Sequence, residues 1–124
     1  DCIVCEPDLG PALRQVPTGP YAEKIIQKLE PLYFGFFEQA FGALKPGGRL
    51  VLVTPYIKTR SGQAVMMPIS KKLESLGFKN VYPFYKDMFS QNVGLLLERV
   101  VNTHSLVEMD ALHMIGREIH IFEK

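Results

Sequence analysis

The chain has 124 residues, of which 47% are hydrophobic and 22% charged, and its formal net charge is +1. That length indicates one domain, and that composition excludes a disordered or low-complexity segment. The near-neutral total decides nothing about a nucleic-acid partner, because a basic face can sit within it.

The longest apolar runs fall far short of the roughly 20 residues of a membrane span, so no membrane partner is expected. Two cysteines are too few for a secreted disulfide framework, and a cytoplasmic setting is the default expectation. The chain starts at Asp1 and enters a strand almost at once, so the expectation is a piece of a longer protein.

Cys2 to Cys5 is apolar and too short for a helix, and it reads as a buried strand. Glu6-Pro7 stops it, and Gly10-Pro11 marks a turn. Glu6 is therefore expected at the C-terminal end of a parallel strand, where open α/β sheets bind ligands. Ala12 to Pro20 is a loop directly downstream, with Arg14 and Thr18 as its polar resources.

Over Tyr21 to Leu44 the apolar residues recur at spacings of three and four, the period of a helix with one buried face. Pro31 is expected to kink or split it near Glu30. Lys45-Pro46-Gly47-Gly48 is a stop signal. Arg49 to Thr54, apolar on both faces, reads as a central parallel strand ended by Pro55. Tyr56 to Gly62 reads as a second loop at the same sheet edge as the first.

A short helix over Pro68 to Leu76 is expected to close at Gly77. Lys79 to Tyr85 is a third strand, with Pro83 pointing to an edge. Phe89 to Val101 shows helical spacing. Leu106 to Met109 is a candidate strand, and Arg117 to Glu123 alternates as a half-buried strand. Strands alternating with helices imply βαβ units and a mostly parallel sheet, to which the end of the chain can add an antiparallel strand.

Three segments carry a resemblance. They are Ile3-Val4-Cys5-Glu6-Pro7-Asp8-Leu9-Gly10, then Leu44-Lys45-Pro46-Gly47-Gly48-Arg49-Leu50-Val51-Leu52 after a helix, then Gly116-Arg117-Glu118-Ile119-His120-Ile121-Phe122. Together they resemble the C-terminal half of the catalytic domain of class I S-adenosylmethionine-dependent RNA methyltransferases. Within that group the last segment is similar to tRNA guanine-N2-methyltransferases and related RNA methylases of archaea.

The resemblance implies an α/β fold, the C-terminal half of a Rossmann-like methyltransferase sheet. Residues 1–124 would form a single, partial catalytic domain lacking the N-terminal cofactor-binding half. The implied cofactor is S-adenosylmethionine, and the implied partner is RNA, in particular tRNA.

Methylating an exocyclic amine needs an acceptor that takes its N–H and directs its lone pair. By resemblance, Glu6 occupies the Asp/Asn position of the family's Asp/Asn-Pro-Pro-aromatic motif. Pro7 offers its carbonyl beside it, and Asp8 completes the catalytic set. Leu9, Gly10, Arg14 and Thr18 are the implied substrate-binding residues. Asp8 and Leu9 stand where the family carries an aromatic residue that stacks on the base. No Gly-rich turn leads from a strand into a helix, as the family's donor site requires.

The degenerate Glu-Pro-Asp-Leu also fits a second expectation, a non-catalytic methyltransferase-like module that binds RNA or a protein partner. A third is a methylase acting on another amine, such as a DNA adenine. Without the cofactor half, the first strand would keep an open edge through which the chain could form a homo-dimer.

Plainer readings stand beside these. Glu6 can be a turn residue at a strand end, and Asp8 an N-cap or loop carboxylate. Cys2 and Cys5, three apart on a strand, point to opposite faces and read as small buried residues with no metal. His104, His113 and His120 lack metal-site spacing, and His120 falls on the polar phase of its strand, facing solvent. Arg14, Lys58 and Arg60 are scattered surface charges or contacts to RNA phosphates. The Phe and Tyr residues at 33, 34, 36, 37 and 41 fit the core face of the helix.

Overall fold

A computed structural model describes residues 1–81, 97–101 and 105–124. Along the chain these form β1 (Cys2–Cys5), α1 (Gly19–Ala43), β2 (Arg49–Lys58), β3 (Ala64–Met66), α2 (Ser70–Leu76), β4 (Lys79–Asn80), β5 (Leu97–Val101), β6 (Leu106–Asp110) and β7 (Ile115–Glu123).

Spacing builds α1. Ala22, Ile25, Ile26, Leu29, Tyr33, Phe37 and Ala40 fall on one stripe, and all are buried. Burying each large side chain contributes about 1.5–3 kcal/mol. The stripe packs on Leu50 and Leu52 of β2 and Phe122 of β7, with Leu73 of α2 and Phe78 closing the same core. Phe41, Phe78 and Phe122 join in edge-to-face contacts at 5.2 and 6.4 Å.

The helix runs through Pro31 as one 25-residue element, longer at its start than expected and not split. Pro31 lies on the exposed side. The C-terminal carbonyls of α1 are capped from the far end of the chain. The Lys124 ammonium donates to the Phe41 and Leu44 carbonyls at 2.5 and 2.7 Å and sits 4.3 Å from the Phe41 ring centroid. Lys45, the first residue of the stop signal, lies beyond the C-cap Leu44.

The strands form one seven-stranded mixed sheet in the order β1-β2-β7-β6-β5, with β3 also on β2 and β4 also on β7. This corrects the expected mostly parallel sheet, the C-terminal half of a Rossmann-like methyltransferase sheet. Among the described residues only β1 and β2 pair in parallel. The β2–β3, β2–β7, β4–β7, β5–β6 and β6–β7 pairs are all antiparallel.

The reason is connection length. A parallel neighbour needs a long crossover, which α1 supplies between β1 and β2, whereas short turns can only reverse the chain. The 59–63 turn, closed by the Thr59 N–H donating to the Gln63 carbonyl at 2.9 Å, and the 111–114 turn both produce hairpins. β7 then lies along the whole of β2, from Arg49↔Glu123 to Ile57↔Ile115.

Several element expectations change accordingly. β2 does not stop at Thr54 but continues through Pro55 to Lys58. Pro55 falls between Leu52, the last residue paired with β1, and Tyr56, the first paired with β3. A missing N–H leaves no ladder bond unmade there. β1 is an edge strand, not a buried one, and Val4 is 72% exposed.

The third strand keeps only Lys79–Asn80 and pairs antiparallel with β7. Its expected continuation at 82–85 lies outside the described residues. Of the expected helix over Phe89 to Val101, residues 97–101 form β5, a strand on β6, and residues 89–96 lie outside the described residues. Among the described residues no helix is long and apolar enough to cross a membrane.

Candidate functional site

The chain leaves β1 at Glu6 and loops over the sheet end before entering α1. Asp8 shapes the start of that loop: its Oδ1 accepts the Gly10 N–H at 2.8 Å, a local Asx turn. Gly10 has φ +106°, and a Cβ there would stand 2.9 Å from Ile25 Cγ2, so only glycine suits the position. From below, the Tyr33 hydroxyl donates to the Asp8 carbonyl at 3.1 Å and also lies 3.4 Å from the Val53 carbonyl. Burial, reinforced by the nearby Asp8, Cys5 and Glu6, pushes the Tyr33 phenol well above its ordinary value. It therefore acts as a neutral donor that anchors the loop. Burial also pushes the Cys5 thiol up.

Glu6 meets β7. Its Oε2 accepts from Arg117 Nε at 3.0 Å, with the two side chains 42% and 41% exposed. The Glu6 bond and charge raise the Arg117 pKa further. Glu6 Oε1 has no hydrogen-bond partner among the described residues, so the carboxylate keeps one accepting oxygen open to a ligand.

Two clefts lie along the loop. The smaller, about 280 Å³, runs between residues 9–13 and the β6–β7 turn. Leu9, Gly10, Leu112 and Arg117 line it. The larger, about 550 Å³, is lined by residues 12–18, Tyr21 and Arg60. Arg60 comes from the 59–63 turn. Its N–H donates to the Pro17 carbonyl and its Nε to the Val16 carbonyl, both at 2.9 Å. The two expected loops therefore touch.

The expected site residues divide among these features. Glu6 joins Arg117, Leu9 and Gly10 line the smaller cleft, and Arg14 and Thr18 line the larger. Pro7 and Asp8 hold the turn between Glu6 and the clefts. Sequence reasoning passed over Arg117, Tyr21 and Leu112. Arg117 was visible only as a polar position in an alternating strand, and its meeting with Glu6 needs the β1–β2–β7 register. Lys58 is exposed but lines neither cleft.

A second polar cluster sits on the opposite face of β7. His120, expected to face solvent, is buried, and so are Glu118, Thr54 and Ser105. Ser105 donates to Glu118 Oε1 at 2.6 Å. His120 Nε2 lies 3.1 Å from Thr54 Oγ1 and 3.5 Å from Glu118 Oε2. Burial works to raise the Glu118 pKa, but the bond and charge of His120, with Ser105 and Thr54, hold it below the usual carboxylate range.

Among the described residues no three His, Cys, Asp or Glu side chains gather as a metal would need. Among the described residues no glycine-rich turn leads from a strand into a helix. The glycines at 47 and 48 lead into the amino end of β2, away from Glu6. Compared with family models, with curated proteins and with solved structures, the chain matches none.

Proposed function

We propose that the chain is the acceptor-binding part of an S-adenosylmethionine-dependent RNA methyltransferase that acts on an exocyclic guanine amine, with tRNA as the substrate. The observation that carries this reading is the half-exposed Glu6 carboxylate at the end of β1, with one oxygen tied to Arg117 and the other open. In this reading the amine donates one N–H to Glu6 Oε1 and another to the Pro7 carbonyl, which aims its lone pair outward. Arg117 holds Glu6 in orientation through its bond to Oε2. The methyl donor is held by residues outside this chain.

The test is a titration of S-adenosylmethionine by calorimetry into this chain and into a longer protein that contains it, followed by a tRNA methylation assay on whichever binds. Glu6→Gln should lower the methylation rate by about 10²-fold or more, as expected for loss of a positioned proton acceptor. Unchanged turnover in that variant would remove Glu6 from the mechanism.

A second reading is a module that binds RNA or a protein without catalysis. It is favoured by the engagement of Glu6 Oε2 with Arg117 and of Asp8 Oδ1 with the Gly10 N–H. Absence of donor binding by either protein would select it.

A further inference from the structure

The larger cleft collects features that the sequence scatters. Arg14 comes from the loop after β1, Arg60 from the turn after β2 and Tyr21 from the first turn of α1, and all three line one cavity of about 550 Å³. Among the described residues no carboxylate lines it. Among the described residues neither arginine has a carboxylate partner. Among the described residues Arg60 is held only by Nε and its backbone N–H, which leaves the terminal amino groups of its guanidinium for a ligand. Tyr21 is 51% exposed, whereas Tyr33, further along the helix, is fully buried. The Thr18 hydroxyl makes no cap bond to the helix.

Two fixed or free guanidinium groups beside an exposed ring match what a nucleic-acid single strand presents: phosphates that take bidentate cations, and an unstacked base with an open π-face. A duplex offers no unstacked base. We propose that this cleft is a binding site for single-stranded RNA, in which Arg14 and Arg60 contact successive phosphates and Tyr21 stacks on a base. The proposal rests on the preceding reading only for RNA as the ligand. It is tested without a methyl donor, so its failure and a failure of methyl transfer are separate results.

The experiment is fluorescence anisotropy of a labelled ten-nucleotide single-stranded RNA with the full chain across a salt series. Single-strand contacts give a log–log salt slope of about −0.7 per phosphate, hence about −1.4 for two. Tyr21→Ala should weaken binding about tenfold, within the ~1–3 kcal/mol range of base stacking, while Tyr21→Phe should retain it. Arg14→Ala should reduce the magnitude of the slope by about 0.7. Because Arg14 and Tyr21 are both exposed, both variants should fold as the native chain does, which circular dichroism checks. The proposal is overturned if the native chain does not bind, if both alanine variants bind as it does, or if duplex RNA binds as tightly. Competition by a nucleoside monophosphate with equal strength would likewise overturn it in favour of a small-ligand site.

Discussion

Consecutive residues of β7 hold two contacts that differ in almost every respect, Arg117 with Glu6 and Glu118 with His120. Arg117 turns toward Glu6 on one face of the sheet and Glu118 toward His120 on the other, because neighbours on a strand point to opposite faces. The first pair is solvated, with side chains about two-fifths exposed. The second is 7–8% exposed and is joined by Ser105 and Thr54. A solvated pair contributes about 0–1 kcal/mol, so Glu6–Arg117 is an orienting contact whose carboxylate stays available. The buried cluster has nothing to offer a ligand, and its members depend on one another.

The largest effect expected from breaking that contrast is on the buried side. Glu118→Ala takes a buried partner from both the Ser105 hydroxyl and the His120 ring, and each group left unsatisfied costs about 1–3 kcal/mol. Urea unfolding should show this as a large fall in the midpoint with little change in slope. Ser105→Ala removes one donor to a charged acceptor and should cost about 1.5–3 kcal/mol by the same measurement. If Ser105→Ala proves neutral, the 2.6 Å bond to Glu118 does not carry that share of the network.

Acid should separate the two carboxylates as well. The folded Glu118 pKa is lowered, so its contribution to stability is fully present above its unfolded value near 4.5. It is lost as the pH falls through the folded value. The native chain should therefore lose more stability than Glu118→Gln on acidification from about pH 5 downward. Parallel pH profiles of the two proteins would contradict the depressed pKa.

Much of the element map was legible because it follows from local rules. The 3.6-residue stripe from Ala22 to Ala40 could only be a one-faced helix, and the αL glycine at 77 closes α2 as its position suggests. Strand direction was not legible. The alternation of helices and strands suggested parallel pairing, but the hairpin turns at 59–63 and 111–114 decide otherwise. His120 shows the limit of period-2 reading: alternation says which residues share a face, not which face is covered. It shares its face with Phe122, and the helices cover that one. Of the candidate site, the loop from Glu6 to Thr18 was visible in its prolines and glycines. Arg60 was visible as a residue of a second loop at the same sheet edge, though not its bonds to Val16 and Pro17, and Arg117 was not visible as a partner, since it arrives from 111 residues away.

The smallest expected effect on stability is also the one that bears most on function. Glu6→Gln keeps the shape of the side chain and removes its charge, so unfolding by urea should shift by at most about 1 kcal/mol. Arg117→Ala should do the same. If both are that mild while Glu118→Ala is severe, the fold does not need the Glu6–Arg117 pair, and any loss of RNA methylation in the Glu6 variant belongs to the acceptor site rather than to unfolding. Should Glu6→Gln instead destabilise the chain as much as Glu118→Ala does, the pair would be a strut between β1 and β7, the two strands that flank β2. Glu6 would then be tied to the architecture, and the plain reading of a turn residue closing a strand end would account for it.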